Sequence, residues 1–203
     1  PESRVRFWQQ LLERLDNAGV RTGVTTELPL SGQDNPTTFA AHMSSGDAVP
    51  VRIRSVSRGF FDLFKIAVRT GRPIDDRDGA SAPHVVVVNR SLAARLATVG
   101  PAVGQTLAFD FIEPPFTATV VGIADDFHHQ QLGTVPSPEA YFSFAQTPQP
   151  RHSLVLSSAD SAERVGRVVR EVVDTIDRDC LTIGLADSAE VDVDVGRGRR
   201  HVL

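Results

Sequence analysis

The sequence feature that most constrains the fold is a run of four valines, Val85–Val88, followed at once by a short helical pattern. Valine is branched at Cβ and packs well on a pleated surface, so the run predicts a strand that is buried on both faces. Either Asn89 or Ser91 is suited to cap the helix that follows, which carries Leu92 and Leu96. This strand and helix form a compact scaffold without a catalytic pattern.

Length, charge and cysteine content narrow the classes of protein to which the chain can belong. Its 203 residues suffice for one or two domains with a real hydrophobic core. The net charge of −4 argues against a nucleic-acid-binding groove, which needs clustered lysines and arginines. The single cysteine, Cys180, excludes an internal disulfide and any metal site built from several cysteines. No apolar run approaches the ~18 residues that span a bilayer, and since the first residue is Pro1 we expect a fragment of a longer protein.

Two amphipathic helices are predicted, one near each end of the chain. Apolar residues recur at spacings of three and four between residues 2 and 17, and again between residues 161 and 177 after the predicted N-cap Ser161. A shorter helix after Ser57 carries three phenylalanines within five residues, which cannot all face water in a soluble domain. Together with the valine strand, these helices supply the predicted structural core, which consists of Trp8, Leu11, Leu12, Leu15, Phe60, Phe61, Phe64, Val86, Val88, Val165, Val169, Val172 and Ile176.

Short strands are predicted for much of the remaining chain, at residues 20–27, 49–56, 106–111, 117–124, 139–144, 152–157 and 181–185. Residues 29–46 are rich in Ser, Gly, Asp, Asn, Pro and Thr, and they predict a loop or a loosely held hairpin. Apolar and basic residues alternate within 49–56. We therefore expect Arg52 and Arg54 on a solvated strand face rather than in an anion site.

The most ligand-like cluster in the sequence is Asp125, Asp126, His128 and His129, with two carboxylates and two imidazoles within five residues. Adjacent histidines on an extended segment point to opposite sides, and a zinc site would need a further ligand. A polar loop that closes a strand is therefore favoured over a metal site. The acidic loop at residues 75–78 lacks the spaced glycine and terminal glutamate of a calcium-binding EF-hand.

Signature motifs of the common enzyme classes are missing from the sequence. It contains no phosphate-binding loop, no dinucleotide-binding glycine fingerprint and no G-x-S-x-G nucleophile elbow. We therefore predict no catalytic residue, no metal and no cofactor, and the residues alone indicate a soluble α+β domain with a structural or interaction role. A metal-dependent hydrolase that uses the Asp125, Asp126, His128 and His129 cluster is the alternative.

The order of several short motifs is more specific than any one of them. They are Gly19-Val20 with Leu28-Pro29-Leu30, Val56-Ser57-Arg58-Gly59-Phe60-Phe61, Gly71-Arg72-Pro73-Ile74, Val86-Val87-Val88-Asn89 with Leu92-Ala93, Val103-Gly104-Gln105-Thr106-Leu107, Val120-Val121-Gly122-Ile123-Ala124-Asp125-Asp126-Phe127 and Pro138-Glu139-Ala140-Tyr141-Phe142. Through this series, over residues 1–158, the chain resembles the MacB-like periplasmic core domain of ABC transporter permeases in the FtsX-like superfamily, and most of all the duplicated-permease subgroup. The family pattern commonly has Pro and Tyr where this chain has Arg58 and Phe60.

The resemblance implies an α+β fold of two subdomains. A discontinuous porter-like subdomain, residues 1–70 and 148–203, would carry the two amphipathic helices on one face of a sheet. Its strands would come from residues 20–27, 49–56, 152–157 and 181–185. A smaller strand-rich subdomain, called Sabre in this family, would be inserted at residues 71–147.

The resemblance also implies a function without catalysis. Such a domain lies on the outer side of the inner (cytoplasmic) membrane, in the periplasm or its equivalent. It transmits ATP-driven motion of the membrane helices to an extracytoplasmic substrate or partner. The implied partners are the membrane helices of the same permease, an ABC ATPase subunit or domain, a second permease half and an extracytoplasmic protein, with no nucleic acid. A solute-sensing or partner-binding module of a signalling protein is a further alternative.

Overall fold

A computed structural model describes residues 2–28, 38–98, 100–127, 136–158, 160–176, 183–186 and 190–193 of the chain. The predicted α+β class is confirmed by a mixture of helices and short strands. In chain order the elements are α1 (Glu2–Asn17), β1 (Arg21–Thr25), β2 (Thr38–Met43), β3 (Ala48–Val56), α2 (Phe60–Leu63), β4 (Val68–Gly71), β5 (Val85–Asn89), α3 (Arg90–Leu96), β6 (Thr106–Phe109), β7 (Phe116–Ala124), β8 (Glu139–Ser143), β9 (His152–Ser157), α4 (Ala162–Ile176), β10 (Ile183–Ala186) and β11 (Glu190–Val193).

Helices α1 and α4 occupy the two ranges that hydrophobic periodicity predicts. The hydroxyl of Ser161 accepts a hydrogen bond of 3.4 Å from the backbone N–H of Arg164, which satisfies one of the free donors in the first turn of α4. After α1 the chain turns into β1 through Gly19, whose φ of 78° is readily adopted only without a Cβ atom. Both helix boundaries therefore follow from local chemistry.

The two long helices pack together on one face of a strand pair. β1 and β9 are antiparallel over five residue pairs, from Arg21↔Ser157 to Thr25↔Ser153. Apolar side chains of α1, α4, β1 and β9 form one hydrophobic core. β9 pairs on its other side with β11, which pairs with β10. We call α1, α4, β1, β9, β10 and β11 the helical lobe.

Six strands pair in a closed ring. β3 pairs with β2, β2 with β6, β6 with β7, β7 with β5, β5 with β8, and β8 returns to β3. β4 pairs with the last residues of β7. Closing the ring gives each of its six strands a partner on both sides, which protects strand edges that would otherwise be free to pair with other chains. We call these strands, together with α2 and α3, the ring lobe.

The ring encloses its own hydrophobic core. Side chains alternate along a strand, and alternate apolar residues of all six ring strands belong to a single cluster with residues of α3. Val86 and Val88 belong to this cluster, whereas Val85 and Val87 belong to a second cluster that contains Phe60 of α2. The prediction that the valine run is buried on both faces is therefore confirmed.

The structure decides two predictions about strands, those for residues 29–46 and for residues 49–56. The segment predicted as a loop or a loosely held hairpin contains β2, which pairs with β3 from Thr38↔Arg52 to His42↔Ala48, so the hairpin alternative is correct for residues 38–56. Residues 29–37 lie outside the described residues. β3 lies next to β1 in one sheet with β9 and β10, as expected, but it pairs with β1 at Thr25↔Val56 and far more extensively with β2 and β8 of the ring.

The strand pairing bears on how the chain divides between the lobes. The ring uses β2 and β3 as well as strands from residues 85–143. The division into residues 1–70 with 148–203 and residues 71–147 stays a prediction. The helical lobe and the ring lobe are defined by strand pairing and not by these boundaries.

Candidate functional site

The two lobes meet along a narrow junction. β1 and β3 share the residue pair Thr25↔Val56, which is flanked by backbone hydrogen bonds from Thr26 N–H to Ser55 (3.1 Å) and from Ser57 N–H to Val24 (3.0 Å). The chain passes from the helical lobe to the ring after β1 and returns after β8. Two arginines, one histidine and a cleft lie at this junction, and together they form the candidate functional site.

Helix α2 lies in direct backbone contact with β1. A Cβ atom on Gly59 would lie 2.0 Å from the carbonyl oxygen of Thr22, and one on Gly23 would lie 2.6 Å from the side chain of Leu63. A backbone carbonyl in a paired strand cannot move aside as the end of a flexible side chain can. Glycine is therefore required at position 59 by space rather than by backbone conformation, and the ring lobe is seated closely on the helical lobe.

Arg54 of β3 forms a buried ionic cluster at the junction. Its side chain is 1% exposed, with Nη1 2.9 Å from the Glu27 carboxylate and Nη2 3.4 Å from that of Glu139. Glu27 follows β1 and Glu139 begins β8, so one guanidinium joins the exit of the helical lobe to a ring strand. The Nε atom is buried and has no hydrogen-bond partner among the described residues. A buried cation depends on such carboxylates, because removing one leaves an uncompensated charge.

The partners of Arg54 are themselves fixed by hydrogen bonds. The Tyr141 hydroxyl donates to the Glu139 carboxylate, and burial, followed by the charge of Glu139, raises the pKa of this tyrosine well above its usual value. Asn89 Oδ1 accepts from the backbone N–H groups of Glu139 (3.0 Å) and Leu92 (2.9 Å). Asn89 is therefore both the N-cap of α3 and an anchor for the start of β8.

His152 lies on the helical-lobe side of the junction. Its Nε2 is 3.2 Å from the Ser55 hydroxyl of β3, and its ring contacts Trp8 at a centroid distance of 5.9 Å. The Ser55 hydroxyl also donates to the carbonyl of Thr147 at 3.0 Å. Burial, and to a lesser extent the charge of Arg4, lowers the pKa of His152 to about 4. The imidazole is therefore neutral at pH 7.

A cleft of about 550 Å³ opens between the lobes. One side is formed by α1, including Glu13 and Asp16, and another by the segment at residues 74–79 between β4 and β5. Residues 143–145, the last residue of β8 and the two that follow it, complete the lining together with Ser57 and Arg58. The cleft thus has walls from both lobes, so its width depends on how the lobes are oriented.

Arg58 spans this cleft. Its Nη2 is 2.7 Å from Asp16 of α1, and its Nη1 is 2.7 Å from Asp76 of the opposite wall. The hydrogen bond to Asp16 is the largest of the effects that raise the pKa of Arg58 above its usual value. The side chain is 55% exposed, so these ion pairs are solvated and weaker than those of a buried arginine.

The wall that carries Asp76 is held rigid by its own ion pairs. Arg72 binds Asp78 through two hydrogen bonds of 2.8 Å, and Arg77 binds Asp75 at 2.6 Å. The hydrogen bond from Arg77 is the main cause that lowers the pKa of Asp75 to about 2. Arginines therefore neutralise the carboxylates of the acidic loop that sequence spacing argued against as a calcium site.

The two carboxylates of the cluster considered as a metal site are engaged by donors of the chain. Asp125 binds Arg69, with 3.0 Å between Nε of the arginine and the carboxylate. The Asp126 carboxylate accepts a hydrogen bond of 2.9 Å from the backbone N–H of Ser91. The hydrogen bond from Arg69 is the first cause that lowers the pKa of Asp125. His128 and His129 lie outside the described residues. Among the residues that are described, no group of three or more His, Cys, Asp or Glu side chains is arranged to hold a metal ion.

The predicted structural-core residues lie in three hydrophobic clusters formed by the described part of the chain. Those that are buried are Trp8, Leu11, Leu15, Phe60, Phe61, Val86, Val88, Val165 and Val169. Those that are partly buried and pack against the same clusters are Leu12, Phe64, Val172 and Ile176. The same side chains thus form the framework around the junction.

Comparison with known families decides what kind of domain this is. A family model described as the MacB-like periplasmic core domain matches residues 6–175. The chain belongs to this family. This MacB-like domain is accordingly an extracytoplasmic domain of an ABC-transporter-type permease, and it is associated with an ABC transporter system.

Two solved structures show the same fold as this MacB-like domain. The extracellular domain of the noncanonic ABC-type transporter YknZ from Gram-positive bacteria matches with a TM-score of 0.55 at 16% identity, over 82% of this chain and 81% of that one. The periplasmic region of MacB from Actinobacillus actinomycetemcomitans matches with a TM-score of 0.53 at 14% identity, over 83% and 89%. No curated protein matches the chain. In the described part of the domain, no helix has both the length and the apolar character required to cross a membrane.

Sequence reasoning missed the polar residues of the junction. The alternation of residues 49–56 predicted that Arg54 lies on a solvated face. In the structure this arginine is buried and paired with Glu27 and Glu139, which belong to distant parts of the chain. That expectation is wrong for Arg54 and fits Arg52 better, since Arg52 is only half-buried. His152 and Arg58 carried no pattern of their own. A signal was present in Glu139, a carboxylate directly before the apolar strand residues Ala140 to Phe142, because a charge there needs a partner.

Proposed function

We propose that this MacB-like domain transmits ATP-driven motion of the permease's membrane helices to a substrate or partner protein outside the membrane. The observation that carries the proposal is the junction, where two separately packed lobes share one β-sheet residue pair, Thr25↔Val56. The working partners are the membrane helices of the same permease, an ABC ATPase subunit or domain, and a second permease half.

The construction of the lobes supports a mechanical role. Motion is transmitted efficiently when each moving part is stiff and the connection between them is narrow. The helical lobe has its own core of helices on a strand pair, and the ring closes on itself around a second core. Closely packed cores transmit strain rather than absorb it. Relative movement is therefore expected at the junction rather than within either lobe.

We propose further that the domain is not an enzyme and that ATP hydrolysis takes place in the partner ATPase. Asp125 and Asp126 already engage Arg69 and the start of α3, which does not favour the hydrolase alternative. Elemental analysis of the purified domain tests this directly. We expect no stoichiometric metal, whereas about one equivalent of zinc that is lost in a His128→Ala/His129→Ala variant would contradict the proposal.

The mechanical proposal is tested in the intact transporter by tying the two cleft walls together. Asp16 and Asp76 both contact Arg58, so cysteines at these two positions lie within reach of a short, cleavable bifunctional thiol reagent. The background variant is Cys180→Ser. If lobe motion is coupled to the ATPase, the cross-link should slow ATP hydrolysis several-fold, and cleavage of the linker should restore it.

The two single-cysteine variants treated with the same reagent are the matched controls. Each carries the modification without a cross-link between the two walls, so treatment should leave the ATPase rate of each variant equal to that of the same variant before treatment. An ATPase rate that is unchanged by complete cross-linking would count against mechanical coupling through this junction.

A further inference from the structure

The cleft at the junction is bridged by one exposed side chain. Its two walls belong to different lobes, α1 on one side and residues 74–79 on the other. Among the described ion pairs, those of Arg58 join these two walls. Any widening of the cleft therefore has to break at least one of the two contacts of 2.7 Å.

The wall that carries Asp76 is fixed to the ring, so it can only move with it. Arg72 donates its backbone N–H to the carbonyl of Val121 at 2.9 Å, and a Cβ atom on Gly71 would lie 2.1 Å from that same oxygen. Ile74 is 2% exposed and packs in the cluster that also holds Val87 of β5. Asp76 therefore moves with the ring lobe, and Asp16 moves with α1.

The environment of Arg58 makes its contacts reversible. The side chains of Arg58, Asp16 and Asp76 are 55%, 34% and 78% exposed, so water can replace each partner when the contact breaks. Ion pairs between exposed groups are weak and are screened further by salt. Arg54, at 1% exposure, has no such alternative on the other side of the junction.

We propose that Arg58 is a releasable latch that holds the cleft between α1 and the 74–79 segment closed. Breaking the pair with Asp16 lets the ring lobe, which carries both Arg58 and Asp76, turn away from α1, while the Arg54 cluster keeps the lobes joined. The latch deepens the proposed function by naming the contact that lobe motion must break. Its test needs only the isolated domain, so its failure would leave mechanical coupling in the intact transporter untouched.

The test measures cleft width with spin labels beside the two walls, on α1 and directly after residues 74–79. Cysteines replace the exposed residues Gln10 and Ala80 in a Cys180→Ser background, and pulsed electron paramagnetic resonance gives the distribution of inter-label distances. We expect Arg58→Ala to shift the mean distance upward or to broaden the distribution by several ångströms. Asp76→Asn, which weakens one arm of the latch, should give a smaller change of the same kind.

Arg77→Ala is the matched control, because Arg77 binds Asp75 within the same wall and leaves Asp16 untouched. It should keep the parent distribution. The parent in 1 M salt, where the screening length falls to about 3 Å, should move toward the Arg58→Ala distribution. The proposal is overturned if Arg58→Ala and Asp76→Asn both keep the parent distribution, if Arg77→Ala broadens it equally, or if salt leaves the parent unchanged.

Discussion

The two sides of the lobe junction are held by arginines in opposite environments. Arg54 is 1% exposed and binds Glu27 and Glu139, whereas Arg58 is 55% exposed and binds Asp16 and Asp76. A buried guanidinium cannot lose a carboxylate without a large cost, but an exposed one is rehydrated at once. The contacts of Arg54 are therefore fixed when the chain folds, whereas those of Arg58 can break and re-form while the chain stays folded.

The largest effect that this comparison predicts is the loss of the buried arginine. Arg54→Ala removes the buried guanidinium that contacts the carboxylates of Glu27 and Glu139, and we expect the free energy of unfolding to fall by about 3–5 kcal/mol in urea denaturation. Arg52→Ala, two residues earlier on the same strand and half-buried, is the control and should cost less than about 1 kcal/mol. Similar losses for both variants would mean that Arg54 is not a fixed point.

The next effect is a pH dependence from His152. Its pKa is about 4 in the folded state and 6.5 as a free imidazole, so between these values the unfolded chain binds a proton that the folded chain does not. Stability should be constant above pH 6.5 and should fall by about 3 kcal/mol as the pH is lowered toward 4.

Urea denaturation between pH 7 and pH 4.5 measures this slope. His152→Gln should flatten it, because glutamine does not titrate in this range. A slope that persists unchanged in His152→Gln would assign the pH dependence to other groups and would remove His152 from the fixed side of the junction.

A smaller loss is expected from the backbone contact between α2 and β1. Gly59→Ala places a Cβ atom 2.0 Å from the carbonyl of Thr22, so α2 must shift, at a cost of about 1–3 kcal/mol. Gly79→Ala is the control, since nothing lies within 4 Å of its added Cβ, and it should change stability by less than about 1 kcal/mol. Equal denaturation midpoints for Gly59→Ala and the parent would show that the lobes are not closely seated here.

The smallest effect on stability belongs to the exposed arginine. Arg58→Ala removes two solvated ion pairs, and we expect the free energy of unfolding to fall by no more than about 1 kcal/mol. The informative quantity is the difference between the losses of unfolding free energy in Arg58→Ala and in Arg54→Ala. If Arg58→Ala costs as much as Arg54→Ala in the same urea series, both sides of the junction are fixed and the latch has no energetic basis.

Much of the framework could be predicted because it depends on local patterns. The apolar stripes of α1 and α4 and the valine run show which faces must be buried, whichever element packs against them. The closed ring could not be predicted, because periodicity does not say which strands pair. The parallel pairing of β3 with β8, which closes the ring, joins residues 52–56 to residues 139–143.

The candidate site was harder to predict for the same reason. Arg54 and Glu139 are 85 positions apart in sequence, and Arg58 is 42 positions from Asp16. An arginine next to apolar residues looks the same in sequence whether it faces water or a distant carboxylate. The ordered series of short motifs was informative about the family because it depends on sequence spread over residues 1–158 rather than on one contact.

The measurement that tests the central claim most directly is the width of the cleft in the intact transporter as the nucleotide state changes. Spin labels at Gln10 of α1 and at Ala80, which directly follows residues 74–79, give the distance distribution without nucleotide and with ATP held under non-hydrolysing conditions. If the junction transmits ATP-driven motion, the two distributions should differ, and Arg58→Ala should resemble the wider of them in both states. Identical distributions in the two nucleotide states would contradict the account.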